Sequence, residues 1–307
     1  MNRNREKLFK FWPKNSRLAL NDLDGRISEA TKILFKAIDE LKIKIEGLKQ
    51  HLYLGEGLIL TRLKENQPFI LNFPDEGCAL GILVNAEWEP ELTKFLKSIL
   101  KPNSNILDVG ANLGYYPVVI GTSSDFTGTI HCFEPHPNLY SILQKNIIIN
   151  RLEDKVSIHN IAASNHSGDQ IFTYPNHHKG QGGYQTGHIG EQIRVKTDKI
   201  DNLLQGFPRV DLVKIDVEGM ELEVLLGMEN LISRSPDLTI VAEKNRDLSF
   251  EKTSELWNIF ESQNFKIYNL PEFGDTFRLL EQAEFDGYVG MYISTKNPAI
   301  IPESLTP

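Results

Sequence analysis

Two cysteines, Cys78 and Cys132, are all the thiols in 307 residues. Cys132 sits in an apolar run that reads as a buried strand. A disulfide framework is therefore not expected, and a reducing compartment is. No apolar run approaches the roughly 18 residues of a membrane-spanning helix. The basic opening stretch MNRNREKLFKFWPKN lacks the apolar core of a secretory signal. Together these point to a soluble, cytoplasmic protein. Positive charge is also in short supply: 33 Lys and Arg against 41 Asp and Glu leave a net charge of −8. A general nucleic-acid binder needs a basic face, so no nucleic-acid partner is expected. Neither a G-x-S-x-G elbow nor a G-x-x-x-x-G-K-[ST] phosphate loop occurs, which leaves little for hydrolase or phosphate-loop chemistry. No internal repeat is present.

What is there begins with a polar, basic arm over residues 1–21. Ile27, Thr31, Leu34, Ile38, Leu41, Ile45 and Leu48 then alternate four and three apart. β-Branched residues at one core position and leucine at the other favour a parallel two-stranded coiled coil. At about three heptads the same spacing also suits an amphipathic helix packed on its own domain. A homodimer through residues 27–48 and a self-packed helix stay equally open. Residues 52–86 read as short strands and turns, with a turn at Pro74–Gly77. A helix follows from Glu87 and closes at Pro102. From Asn105 onward strands and helices alternate: NILDV, a helix from Tyr115, TIHCFE, NLYSILQKNIIIN, VSIHNIAA, a strand pair QIFTY and QIRVKT, VDLVKID, MELEVLLGMENLI, LTIVAEK, SELWNIFESQ, KIYNL and GMYIST. That alternation predicts an α/β fold with a mostly parallel sheet and helices on both faces.

The stretch ILDVGANLGYY, residues 106–116, carries the chemistry. In an open parallel sheet, ligands sit beyond the carboxyl ends of the strands. Asp108 ends the first such strand, and Gly110, Ala111, Asn112 and Gly114 turn into the first helix. Glycine tolerates positive φ and lets a ligand approach bare backbone. Glu134, followed by Pro135, ends the next strand 24 residues after Gly110, where an acid can accept hydrogen bonds from ribose hydroxyls. A dinucleotide site would read G-x-G-x-x-G, to lay a pyrophosphate on the helix N-terminus. Here the spacing is G-x-x-x-G, with Asn112 at the place of the second glycine. Asp108 repels phosphate and attracts an ammonium group. A cationic nucleoside with an amino-acid tail, S-adenosylmethionine, answers these groups better than NAD.

From about Glu87 to Asn245 the chain resembles the FkbM family of S-adenosylmethionine-dependent methyltransferases. The resemblance rests on EWEPEL, ILDVGANLGYY, HCFEPHPNLYSILQKNI, IAASNHSG, VKTDKIDNL, VDLVKIDVEGMELEVLLG and VAEKN, and most specifically on K-I-D-V-E-G-x-E from Lys214 to Glu221. It implies the class I Rossmann-like methyltransferase fold, with a seven-stranded sheet whose last strand is antiparallel, carrying an N-terminal helical extension. Taken with the pattern read along the chain, the expected division is an arm and amphipathic helix at 1–52, a small strand-rich lead-in at 53–95 and the methyltransferase domain at 96–300. It implies methyl transfer, typically to oxygen, in the tailoring of sugars, glycans and natural products. Some relatives are thought to methylate nitrogen, including asparagine side chains.

An unactivated hydroxyl is a poor nucleophile, so a proton acceptor is expected near the methyl group, beside positioning and electrostatics. Asp216, at the end of VDLVKI, is the first candidate for that carboxylate or for orienting the acceptor. Asp216 also borders the cofactor. Glu243, ending LTIVAE, is the second. Glu218, before Gly219 at a helix start, serves equally well as a helix-dipole partner. Glu221, one turn further in, is read as pairing with Lys214, and Asp201 as opening a short helix with a structural role. Ile161 and Ala162 are expected against adenine. No acid follows them, so backbone groups, Asn160 or Ser164 would hold the adenine. His177, His178 and His188 lie in a glycine-rich loop that suits a lid over the acceptor. Adjacent histidines do not readily face one ion and no ligand spacing follows, so no metal site is assigned. A divalent ion is not expected, although Asp216 and Glu243 would be at hand for one. His131, His136 and His159 read as packed or surface residues. The acceptor class expected is a sugar, glycan or natural product. The rivals are N-methylation of an asparagine-type amide in a protein or peptide, a cofactor-binding scaffold without turnover, and, more distantly, an NAD-linked oxidoreductase.

Overall fold

The computed structural model describes residues 30–32, 34, 36, 38, 51–73, 77–175, 190–245 and 248–305. The chain divides into two compact units, 1–50 and 51–307. In the first, residues 30–32, 34, 36 and 38 are helical. Ile27, Leu41, Ile45 and Leu48 of the heptad pattern lie outside the described residues. So do Pro74, Asp75 and Glu76 of the expected turn, and all three histidines of the 176–189 loop.

The second unit opens with a three-stranded antiparallel sheet, β1 (Leu52–Gly55), β2 (Leu58–Arg62) and β3 (Pro68–Asn72), paired in that order. Its first hairpin turns on Glu56 and Gly57, both at positive φ. That turn matches the twist of the strands it joins. Helix α1 (Cys78–Asn85) follows, where the sequence suggested only strands and turns. A short apolar run does not reveal its own period. Here Ala79 and Ile82, three apart, bury one helical face. Helix α2 (Pro90–Ile99) has proline in its first turn, as that residue prefers.

Then come β4 (Asn105–Val109), α3 (Tyr115–Gly121), β5 (Thr129–Phe133), α4 (Pro137–Ile149) and β6 (Val156–His159). The run VSIHNIAA does not continue as one strand. After β6 the chain turns, and Ala162–Ala163 form β7 in a different sheet. At the turn the Asn160 amide donates to the carbonyls of Glu134 (2.9 Å) and Pro135 (3.1 Å), pulling the backbone off the ladder. Strands β8 (Gly168–Pro175) and β9 (Gly190–Asp198) pair antiparallel and complete that small sheet in the order β7-β9-β8.

Next are α5 (Ile200–Leu203) and β10 (Leu212–Ile215). The stretch MELEVLLGMENLI makes two helices, α6 (Glu221–Leu226) and α7 (Glu229–Ser233), rather than one. At the break, a Cβ on Gly227 would lie 2.0 Å from the Ser164 carbonyl oxygen. Asp201 causes the restart. Its carboxylate accepts from the backbone N–H groups of Asn230 and Leu231, both at 2.9 Å, and so caps α7. The chain ends with β11 (Thr239–Lys244), α8 (Phe250–Ser262), β12 (Lys266–Asn269), α9 (Gln282–Gly287) and β13 (Gly290–Thr295).

The main sheet has seven strands in the order β12-β13-β11-β10-β4-β5-β6. β4, β5, β6, β10 and β11 pair parallel, and β13 runs antiparallel to both its neighbours. This is the class I methyltransferase arrangement, with its antiparallel last strand. Period-two alternation sends Ile106, Ile130, Leu212 and Val241 to a core shared with α2, α3 and α4. Leu107, Val109, Val213 and Ile240 face a second core built with α6, α7 and α8.

One buried amide joins the lead-in sheet to the main domain. Asn146 on α4 is fully buried. Its Oδ1 accepts from the Ile70 N–H at 2.6 Å, and its Nδ2 donates to the Ile70 carbonyl at 3.0 Å and the Leu113 carbonyl at 2.8 Å. It completes the exposed side of β3 and holds the loop before α3. Asn146→Leu would strand three buried backbone groups, and a stability loss of about 3 kcal/mol is expected. Urea unfolding checks this; a loss below about 1 kcal/mol would mean these groups find other partners.

Candidate active site

The site begins with sheet register. Lys214 of β10 stands opposite Asp108 of β4, and Asp108 opposite Cys132 of β5. All three point to the α2–α3–α4 side, because each alternates with residues of the other core. A cation and a carboxylate thus meet inside the sheet layer: Lys214 Nζ lies 3.7 Å from Asp108 Oδ1 and 3.1 Å from Asp216 Oδ2. The ammonium also sits 5.1 Å from the centroid of the Tyr116 ring. The Tyr116 hydroxyl donates to Glu89 Oε2. Burial alone would discharge Lys214, but the carboxylates of Asp216, Asp108 and Glu89 outweigh it and hold its pKa above the ordinary value. Asp108 is 2% exposed, and neither of its oxygens has a hydrogen bond among the described residues. Burial raises its pKa, with Lys214 pulling the other way.

The predicted glycine turn is a run of left-handed residues. Gly110 has φ 81°, Asn112 φ 51° and Gly114 φ 86°. Asparagine tolerates this region better than most side chains, which is why it can stand where a dinucleotide site has glycine. Gly110 is glycine for a reason internal to the chain. A Cβ there would lie 1.9 Å from the Asp216 carbonyl oxygen. The bare backbone expected for a ligand is needed first for the neighbouring strand end. Gly114 caps the start of α3, and a side chain there would run into Leu143.

Beyond these strand ends lies a cleft of about 580 Å³. Gly110, Asn112, Glu134, Pro135, Ile161 and Ala162 all border it, and so do Asp216 and Glu218. Glu134 is held by backbone: its Oε2 accepts from Asn112 N–H and its Oε1 from His136 N–H, both at 2.8 Å. Burial pushes Glu134 up to about 7 despite those two bonds. Of the two polar side chains considered for adenine, Asn160 is committed to the turn after β6. Ser164 is fully buried, does not border this cleft, and its Oγ lies 3.3 Å from His166 Nδ1. The wall there is instead made by Phe172 and Tyr174 of β8 and by Met220.

A second cavity of about 500 Å³ adjoins the first and shares Gly110, Asn112, Asp216 and Glu218 with it. Ala111, Trp88, Cys78, Tyr116 and Lys214 are among its other lining residues. Asp108 lies beneath the turn and borders neither cavity. Glu243 also borders neither, but it is close enough to raise Glu218. Glu218 itself has φ 54°, a left-handed value that costs a non-glycine residue energy and is typical of functional turns. Burial, then the charges of Asp216, Glu243 and Glu221, push it up to about 8. Burial likewise raises Glu243. Glu221 does not pair with Lys214. It lies on the opposite side of the sheet with α6 and accepts from the Gly219 N–H at 3.1 Å. The cavities therefore join a buried acid at one end to a strongly acidic region at the other, which suits a nucleoside bearing positive charge. Among the described residues no three His, Cys, Asp or Glu side chains group as metal ligands.

Sequence reasoning missed Trp88, Tyr116, Glu89, Phe172 and Tyr174. The signal for the first and third was present in EWEPEL, just before a helix-starting proline. Tyr174 had no local signal, because β8 meets the cleft only through tertiary packing. His136, read as a packed or surface residue, is buried, and it caps α4 by accepting from Asn138 N–H at 3.1 Å.

Comparison with known proteins places this geometry in a context. The methyltransferase FkbM domain matches residues 108–285. The hexuronic acid methyltransferase AglP of Haloferax volcanii is 30% identical over 146 residues, spanning 47% of this chain and 58% of that protein. The 31-O-demethyl-FK506 methyltransferase FkbM of Streptomyces tacrolimicus is 27% identical over 164 residues, 43% of this chain and 62% of that one. The chain thus spans about six tenths of the length of these curated relatives. An O-methyltransferase from Bacillus cereus, solved with S-adenosylhomocysteine, is similar at 14% identity and a TM-score of 0.40, over 68% of this chain and 82% of that one.

The Lys214 arrangement makes a direct prediction. Lys214→Met leaves Asp108 buried without a cation and should destabilise the fold by about 3–5 kcal/mol near neutral pH. The folded pKa of Asp108 is raised, so its protonated form favours the folded state. That contribution is present below the unfolded pKa and is lost as pH rises through the folded one. The stability gap between variant and wild type should therefore shrink as pH falls. Urea unfolding at several pH values tests it, and a gap independent of pH would rule out Asp108 as the stranded charge.

Proposed function

Because the chain belongs to the family defined by the methyltransferase FkbM domain, we propose that it transfers a methyl group from S-adenosylmethionine to a hydroxyl of a sugar, glycan or related natural product. The observation that carries this reading is the continuous cleft from Glu134, over the Gly110–Gly114 turn, to Asp216 and Glu218. Glu134 keeps acceptor capacity beyond its two backbone bonds and would take the ribose hydroxyls. Asn112 and Ala111 would lie along the amino-acid tail. Asp108 and Asp216 supply the negative field for the cation, with Lys214 fixing where their oxygens stand. The acceptor preference draws on the relatives' names: one acts on a hexuronic acid, and the other is named for a 31-O-demethyl substrate.

S-adenosylmethionine supplies an electrophilic methyl group, so the chain's own task is to orient an acceptor and receive its proton. Asp216 and Glu218 border both cavities and are the groups best placed for that. Glu218, pushed up to about 8, is poised to exchange a proton near neutral pH. Asp216, tied to Lys214, is better suited to orienting the acceptor. Burial, then the charges of Asp216 and of Glu243, keep Glu218 protonated until higher pH.

Calorimetric titration of the full chain with S-adenosylmethionine, S-adenosylhomocysteine and NAD tests the cofactor assignment. Binding of the first two, weakened at least tenfold by Glu134→Ala, is expected; NAD alone, or no binding, would sink it. A bound cation favours ionised carboxylates, so S-adenosylmethionine affinity should rise with pH through about 7 to 8, following Glu134 and Glu218.

Turnover tests the roles of the acids. With a sugar acceptor, kcat/KM should climb with pH through about 8 and lose that limb in Glu218→Gln. Asp216→Asn should leave cofactor affinity within a few-fold while cutting turnover. Equal loss of both would mean that Asp216 serves the cofactor's cation alone and does not orient the acceptor. Methylation confined to asparagine peptides would replace the hydroxyl reading.

A further inference from the structure

Strand β8 of the small sheet has no part in the roles above, yet two of its side chains wall the cleft beside Ala162 and Ala163 of β7. Phe172 and Tyr174 stand two apart on β8 and so share one face. They pack with Ala162, Val195 and Met220. The Tyr174 ring meets the His136 imidazole edge to face, with centroids 4.5 Å apart. Tyr174 is 3% exposed, and its hydroxyl has no hydrogen-bond partner among the described residues. Its surroundings in the patch are apolar, so phenylalanine would fill the same space without leaving a polar group unsatisfied. Because Tyr174 also lines the cleft, a bound ligand can supply the missing partner. Burial, and then the neighbouring Glu134 carboxylate, hold the phenol above its ordinary pKa. It therefore keeps its proton and is available as a donor. Glu134 is the residue assigned to ribose, so the neighbouring wall is where the base attached to that ribose must lie.

We propose that Tyr174 is a purine-reading residue: its hydroxyl donates to a ring nitrogen of the cofactor's adenine, which lies against Phe172, Met220 and Ile161. This assignment rests on the adenosyl reading of the cleft. It gives the strand pair β8–β9 a direct part in cofactor selection, because a base without the matching ring nitrogen leaves a buried donor unpaired.

The experiment is a calorimetric comparison of the full-length wild type and Tyr174→Phe. The ligands are S-adenosylhomocysteine and its three deaza analogues, lacking ring nitrogen N1, N3 or N7. Tyr174→Phe should bind S-adenosylhomocysteine about 5- to 20-fold more weakly. Its ligand-free melting temperature should be unchanged or higher, which separates lost recognition from lost folding. One deaza analogue should show the same loss on the wild type and no further loss on the variant, the non-additivity expected of a direct contact. Equal affinity of wild type and variant for S-adenosylhomocysteine would overturn the proposal, since an enclosed water would then satisfy the hydroxyl. So would losses that simply add for all three analogues. If the wild type binds no adenosyl ligand at all, the adenosyl reading fails first and this proposal with it.

Discussion

The register between β4 and β10 places one ammonium between two carboxylates, and the site depends on that pairing. Parallel strands inside a doubly covered sheet are normally apolar throughout. Here Asp108 and Lys214 interrupt both runs at opposed positions. A slip of one residue would send each to the other core and leave it unpaired. The charges therefore specify register as well as chemistry. They also fix the strand ends, because Asp216 follows Lys214 by two residues and its carboxylate is drawn back to the same ammonium. From that point the two turns that carry the ligand groups have little freedom.

Those turns are coupled through backbone. The Asp216 carbonyl occupies the space that a side chain at Gly110 would fill. The turn after β4 and the turn after β10 thus close on each other, one with Asn112 left-handed and the other with Glu218 left-handed. Neither residue would adopt that backbone without cost. Asparagine and glutamate are held there because the strands beneath are over-determined by packing on both faces. The consequence is a cleft whose acidic groups converge: Glu134 from β5, Asp216 and Glu218 from the β10 turn, and Glu243 from β11 behind them. Burial first, and then the charges of Asp216, Glu243 and Glu221, push Glu218 up to about 8. That property belongs to the group of residues rather than to any one of them.

The sequence alone was enough for a good part of this. Strands β4, β5, β10, β11, β12 and β13 are legible because their apolar runs are bounded by turn residues, and the glycine turn and Glu134 are legible because strand ends carry ligands in this fold class. Elements whose pattern depends on neighbours were not legible. The break between β6 and β7 comes from the Asn160 amide reaching back to residues 134 and 135. The break between α6 and α7 comes from Ser164 crowding Gly227 and from Asp201 capping the restart. Helix α1 shows no period of its own over eight residues.

Spacing in the chain determined which chemical groups stand at the strand ends: the acids, the left-handed turn, and the motif that marks the family. Such groups are local, and local geometry follows from residue type and periodicity. Only the tertiary structure decided what those groups face. It gave Lys214 to Asp108 and Asp216 instead of Glu221, because helix α6, which carries Glu221, packs on the second core on the other side of the sheet. It gave Gly110's empty space to the Asp216 backbone, and it brought Tyr174 from a separate sheet to the wall of the cleft. Burial and proximity between distant residues set those outcomes, and neither is encoded in any single stretch of the chain.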